Sequence, residues 1–259
     1  MAIDTNILVS LHGNRIGINK NGDLIVDGKV AVSSAANASN RVRLFTDFLG
    51  DAITSELNFQ EGSDTAATFA ISAAKNGVAI LTTAASATVT MAVNGAQVDG
   101  GALNWYAGNG GLYFETTVKL DDITTGAWFF GFTDQTSALE MPWTISSTTY
   151  TSNGDDGFGF LFDTAATTDT IRCVGVKATV DGTAVDTSDA WAATTYKKFR
   201  CEADTLGNAR FFIDGLLVGS IANAVTPTVA LVPYIGGFAR AASARALSID
   251  YFDTGMDRA

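Results

Sequence analysis

The stretch from Phe199 to Ile221 constrains the fold of this chain more than any other. Phe199, Cys201 and Ala203 alternate with Arg200, Glu202 and Asp204, so one face of a strand meets a core and the other meets water. Thr205 to Asn208 is a polar, glycine-containing turn, and a second strand returns through Phe211 and Ile213. Asp214-Gly215 then reverses the chain into Leu216 to Ile221. Three antiparallel strands joined by short turns are specified here by local residues alone.

The same grammar runs through the rest of the chain. Leu112, Phe114, Thr116, Val118 and Leu120 share one face, and Tyr113, Glu115, Thr117 and Lys119 the other. Trp128 to Phe132 and Gly157 to Phe162 are apolar on both faces, as central strands between packed layers should be. Phe158, Phe160 and Phe162 project into the core, while Gly157 and Gly159 leave room on the opposite face for large neighbours. Val78 to Leu81, Thr88 to Val93, Ile171 to Ala178, Val229 to Ile235 and Ala246 to Phe252 read as further strands. The region leading to Trp191 reads as looser. Around Asp64 to Ala74 the alanine content keeps a helix open as an alternative. Asn-Gly and Asp-Gly pairs, from Asn21-Gly22 to Asp214-Gly215, suit tight turns between these strands. The expected fold is all-β, an antiparallel two-sheet β-sandwich.

Residues 1–40 differ from the body at 41–259. Short β segments are separated by Asn21-Gly22 and Asp27-Gly28, and Ser33 to Ser39 is small and polar like a linker. A meander of this size is marginal alone. It reads as an anchoring arm or oligomerisation element, with Ile16, Ile18, Leu24 and Val26 as its candidate contacts to a partner or to another copy.

A net charge of -11 argues against nucleic acid, which needs a basic stripe. No apolar run approaches the roughly 18 residues that span a bilayer, so no membrane partner is expected. The opening Met-Ala-Ile-Asp-Thr-Asn lacks the basic start and apolar stretch of a secretory signal, so the expectation is a chain used without translocation. Cys173 and Cys201 sit in alternating apolar patterns and read as buried thiols. With His12 they are too few for a structural zinc site, and His12 has no pattern of a catalytic base around it. Gly108-Asn-Gly-Gly111 precedes a strand and so is no phosphate loop. Asp155, Asp156, Asp163 and Asp169 lack the spacing of a calcium loop and read as turn acids. No metal and no cofactor are expected.

Glu202 and Asp204 lie two apart on one strand face, as glycoside hydrolysis requires of a nucleophile and its helper. Laminarinase-type glycoside hydrolases place a Glu-x-Asp-x-x-Glu motif on such a strand, but here the third position is Gly207, so the resemblance covers half a motif. Trp105, Tyr106, Trp143 and Tyr150 fall in expected loops. Exposed there, Trp105, Trp143 and Tyr150 would stack on sugar rings or on a protein, which makes them candidate glycan contacts; the alternative is loop aromatics tucked over the edge of the sandwich.

Four stretches together carry a family resemblance: Leu44 to Gly50, Gly111 to Leu120, Asp156 to Asp163, and Ala209 to Gly219. They resemble tailed-bacteriophage virion proteins with a concanavalin A-like lectin/glucanase jelly roll. The resemblance implies a non-enzymatic capsid decoration (cement) protein, made in the host cytoplasm and placed on the capsid surface of the virion. Its partners would be the major capsid protein and further copies of itself, as in a trimer. The alternative it leaves is a glycan-binding receptor or fibre module.

Overall fold

The computed structural model describes residues 9–11, 14–18, 24–26, 29–32, 41–50, 52–72, 77–135 and 139–259. The chain forms two compact units, Met1–Val42 with Asp257–Ala259, and Arg43–Met256. In the first, β1 (Val9–Leu11), β2 (Asn14–Ile18), β3 (Leu24–Val26) and β4 (Lys29–Val32) form one antiparallel sheet in sequence order. Ile16 stands opposite Val26 and Ile18 opposite Leu24, so the four candidate arm contacts are paired register positions. His12 and the expected linker at 33–39 lie outside the described residues.

β5 (Arg41–Thr46) enters the second unit at Arg43, and β6 (Asn58–Glu61), β7 (Thr68–Ser72) and β8 (Val78–Thr82) follow. A single helical turn, α1 (Met91–Asn94), precedes β9 (Ala96–Asp99). The long central pair β10 (Leu112–Leu120) and β11 (Gly126–Thr133) leads to a hairpin, β12 (Trp143–Ser146) and β13 (Thr149–Ser152). β14 (Gly157–Asp163), β15 (Thr170–Lys177), β16 (Val180–Asp181) and β17 (Val185–Ala190) follow. Last come β18 (Lys197–Ala203), β19 (Ala209–Ile213), β20 (Leu216–Ile221), β21 (Val232–Ala239) and β22 (Ala246–Asp257).

Two eight-stranded antiparallel sheets form the sandwich. The first runs β20-β19-β18-β10-β22-β8-β7, with β5 also on β22; the second runs β16-β15-β14-β11-β21-β9-β6, with β17 also on β15. The three strands from Phe199 to Ile221 are β18, β19 and β20, and Asp214 and Gly215 both adopt positive φ (50° and 82°) in the turn that the residue pair favours. The all-β, two-sheet sandwich read from the sequence is the observed fold.

Rings fill the space between the sheets. Phe199 stacks on Phe130 at 5.3 Å and meets Phe160 edge-on at 5.0 Å, and Phe114 packs on Phe132 and Phe252. Each fully buried ring is worth about 1.5–3 kcal/mol in transfer terms. Trp191, in a stretch that reads as loose, is 2% exposed among Phe130, Phe162 and Phe199, and its Nε1 donates to the Thr195 carbonyl. Cys173 and Cys201 are free and buried. Burial pushes the Cys173 thiol up to about 12, and Cys201 upward as well, so both remain protonated and unreactive.

Two expectations are corrected. Thr88 to Val93 is not a strand: after Thr90 the chain makes α1, closed where Gly95 N donates to the Met91 carbonyl, because Met91 gains burial in an apolar cluster there. The Asp64 to Ala74 alternative is a strand over Thr68–Ser72, paired with β8, where a row of backbone hydrogen bonds overrides the alanine preference.

Candidate functional site

The outer face of the second sheet carries the site. There Phe129, Leu161, Val174, Val176, Tyr234 and Phe238 point away from the interior of the sandwich and are covered by a third layer made of the β12–β13 hairpin, Met91 and Met141. The hairpin sits this close because β14 presents glycines. A Cβ on Gly159 would lie 2.3 Å from the Phe130 carbonyl oxygen and 2.6 Å from the Phe129 ring, and one on Gly157 would press on Trp143 at 3.2 Å. The expectation that Gly157 and Gly159 make room for large neighbours holds.

Beside this layer opens a cleft of about 520 Å³. Its floor is apolar, from Met91, Met141, Ile145 and Phe238, and its polar groups are Thr90, Thr144, Asn153, Glu140 and Arg240. Arg240 follows the last residue of β21, and its Nε donates to Asp163 Oδ1 at 2.9 Å while its Nη2 donates to Oδ2. Its guanidinium lies over the Phe238 ring at 4.7 Å. Asp163 is 3% exposed at the end of β14. Burial pushes its carboxyl above the ordinary value, and the two-point contact with Arg240 opposes that push. The Glu140 carboxylate accepts from Gln135 Nε2 at 3.4 Å, and its carbonyl accepts from the buried Tyr234 hydroxyl at 3.3 Å. Asp99, near Tyr234, accepts from Gly101 N, Asn58 and Gln97, and its burial pushes its carboxyl up.

The aromatic candidates are placed differently from expectation. Trp143 and Tyr150 stand on strands of the hairpin, with Ile145 opposite Tyr150. Trp143 is 2% exposed and stacks on Phe129 at 5.0 Å. Tyr150 is partly buried against the same cluster, and its hydroxyl accepts from Arg172 Nε at 2.6 Å. Trp105 is 4% exposed, in a loop whose backbone bridges to Leu231. Trp105 and Trp143 are thus buried, as in the tucked-in alternative and not as exposed glycan contacts, and neither they nor Tyr150 line the cleft. The alternation of Trp143 and Ile145 with Thr144 and Ser146 was the available signal, since it puts the two apolar residues inward. Glu140, Phe238 and Arg240 went unseen because the cleft joins segments far apart in sequence.

Both members of the acid pair have partners. Glu202 faces out from the first sheet, bound by Arg200 at 3.2 Å and Arg210 at 2.8 Å. Asp204 closes a turn by accepting from Leu206 N, Asn208 N and the Asn208 amide, whose hydrogen bond holds its carboxyl below the ordinary range. Gly207 has φ 81° in that turn. Asp156 and Asp163 act as backbone acceptors, Asp156 from Ala178 N and Thr226 N, and Asp163 from Ala165 N. Among the described residues no group of three or more His, Cys, Asp or Glu is placed to hold a metal.

No family profile matches the sequence, and no curated protein matches it. Solved structures share the fold. The laminarinase from Rhodothermus marinus is similar with a TM-score of 0.56 at 12% identity, over 83% of this chain and 97% of that one. A Bacillus licheniformis β-glucanase gives 0.52 at 12%, over 82% and 97%. The kappa-carrageenase from Pseudoalteromonas carrageenovora, solved with an oligotetrasaccharide of kappa-carrageenan, gives 0.51 at 12%, over 84% and 96%. At this identity the likeness is one of fold. It nevertheless overturns the expectation of a non-enzymatic capsid decoration protein. The jelly roll on which that expectation stood is here the fold of glycoside hydrolases, and nothing in the likeness points to a virion or a capsid partner. The chain folds as the concanavalin A-like jelly roll of glycosidase-type proteins.

Proposed function

We propose that the chain is a carbohydrate-active protein whose glycan lies in the cleft on the outer face of the second sheet, with Glu140 as the carboxyl that exchanges a proton with the glycosidic oxygen. The observation that supports this most is the cleft itself, about 520 Å³ in a fold shared with carbohydrate-degrading enzymes. That volume is within the usual range for a small-ligand site. Val89, Ala92 and Leu139, which are not buried, offer apolar surface to the C–H face of a sugar ring, and Thr90, Thr144 and Asn153 offer groups for its hydroxyls.

Glu140 is the one carboxyl among the described residues that line the cleft, and it would give a proton to the departing oxygen while a water adds to the anomeric carbon and returns a proton to it. Hydrolysis ordinarily uses two carboxyls, and one acting alone supplies only part of the roughly 10²–10⁴-fold of general acid–base catalysis, so slow turnover is expected. The test is to incubate the whole chain with laminarin, mixed-linkage β-glucan and κ-carrageenan, following new reducing ends and, by ligand-observed NMR, binding. Glu140→Gln should bind as the parent does and release no reducing ends. Absence of both binding and release by the parent chain defeats the proposal.

A further inference from the structure

The arginine in the cleft is held in an unusual way for a ligand-binding cation. Two of its three nitrogens are spent on Asp163, and the plane of the guanidinium rests over Phe238. Its remaining nitrogen, Nη1, has no partner among the described residues, and the side chain is 25% exposed where it borders the cleft. A guanidinium fixed by a side-on carboxylate directs its third nitrogen away from that carboxylate, so two N–H bonds are held ready with little entropy left to lose. The positive charge, however, is already matched by Asp163. The other charged side chain among the described lining residues is Glu140, which is negative, and the chain as a whole carries -11.

From this we infer that Arg240 is a specificity-determining residue that orients an uncharged glycan by donating from Nη1 to a hydroxyl or ring oxygen, and that the cleft rejects sulfated or uronate-bearing glycans. The inference rests on the cleft reading proposed above. A sulfate would enter a site whose cation among the described lining residues is neutralised, beside the Glu140 carboxylate and inside a negative field. A hydroxyl makes no such demand: it needs a well-placed donor and an apolar floor, and both are present. Lysine could not replace the arginine, because a single ammonium cannot hold Asp163 at two points and still present a directed donor.

The experiment compares two probes on the intact chain by calorimetry or ligand-observed NMR: an unsubstituted β-1,3-glucan oligosaccharide and a κ-carrageenan oligosaccharide of similar length. The parent chain should prefer the uncharged probe by about tenfold or more at low salt, equivalent to about 1.4 kcal/mol. Added salt should screen the repulsion, raising affinity for the sulfated probe and leaving the uncharged one unchanged. Arg240→Gln and Arg240→Lys should each lose about tenfold for the uncharged probe. Equal affinity for both probes, or preference for the sulfated one, overturns this inference and leaves the cleft reading standing. Binding of neither probe by the parent chain overturns both. The comparison of probes needs no substitution, so a variant that fails to fold does not decide the outcome.

Discussion

The two sheets are made of similar antiparallel strands, yet their outer faces are opposites. On the first, Glu115 accepts from Lys198 at 2.8 Å and the Tyr251 hydroxyl at 2.8 Å, while the Arg200 guanidinium rests over Tyr113 at 4.4 Å. Arg43 grips Asp253 at 2.8 and 2.9 Å, and Tyr113 donates to the same carboxylate at 3.1 Å. Charges across neighbouring strands satisfy one another. On the second sheet the outward face carries a cluster of Phe129, Leu161, Val174, Val176, Tyr234 and Phe238, and a third layer covers it. The difference teaches that cross-strand charge pairing finishes a face, whereas an apolar face needs a cover, and the edge of that cover is where a cleft forms.

The contrast is open to attack by substitution. Trp143→Ala, which removes the ring seated on Phe129, should cost about 3–5 kcal/mol in urea unfolding, as for other buried tryptophans. A loss below about 1 kcal/mol would mean that the hairpin is an ornament and not a layer. On the first sheet, Glu115→Gln should cost only about 1 kcal/mol at neutral pH, because its partners Lys198 and Arg200 are partly in water. Burial raises the Glu115 carboxyl, but Lys198 and Tyr251 outweigh it and hold the carboxyl below its ordinary value. A lowered carboxylate stabilises the fold fully above its unfolded-state value of about 4.3, and that stabilisation is lost as pH falls through the lower folded-state value. The difference between parent and Glu115→Gln should therefore shrink toward zero in acid, and a difference that grows would reverse the assignment. The smallest effect is expected at Leu216→Ser on β20, 72% exposed, which should shift stability by no more than about 0.5 kcal/mol.

Legibility followed the same divide. Where one face is wet and the other dry, as in β10 and β18, the alternation of Leu112 with Tyr113 or Phe199 with Arg200 reports the register directly. The runs Trp128 to Phe132 and Gly157 to Phe162 announced burial on both sides, and both are buried throughout. They did not say what would cover the second side. The cover comes from Trp143, Met141 and Met91, on segments with weak local patterns, and the cleft from Glu140, Phe238 and Arg240, which no single window of sequence contains. At Glu202 and Asp204 the pattern is silent in another way, because a period of two marks a shared face equally well for a catalytic pair and for a solvated one.

The pairing of β22 with β10 has a consequence for how the chain reaches this state. β10 lies between β18 and β22, and the contact between Arg43 and Asp253 closes a loop of 210 residues. During synthesis the first sheet stays unfinished, with an open seam along β10, until β22 has left the ribosome. Non-local closure of this kind is slow. Loss of β22 would remove the middle of a sheet, leaving sticky intermediates for chaperones to shelter.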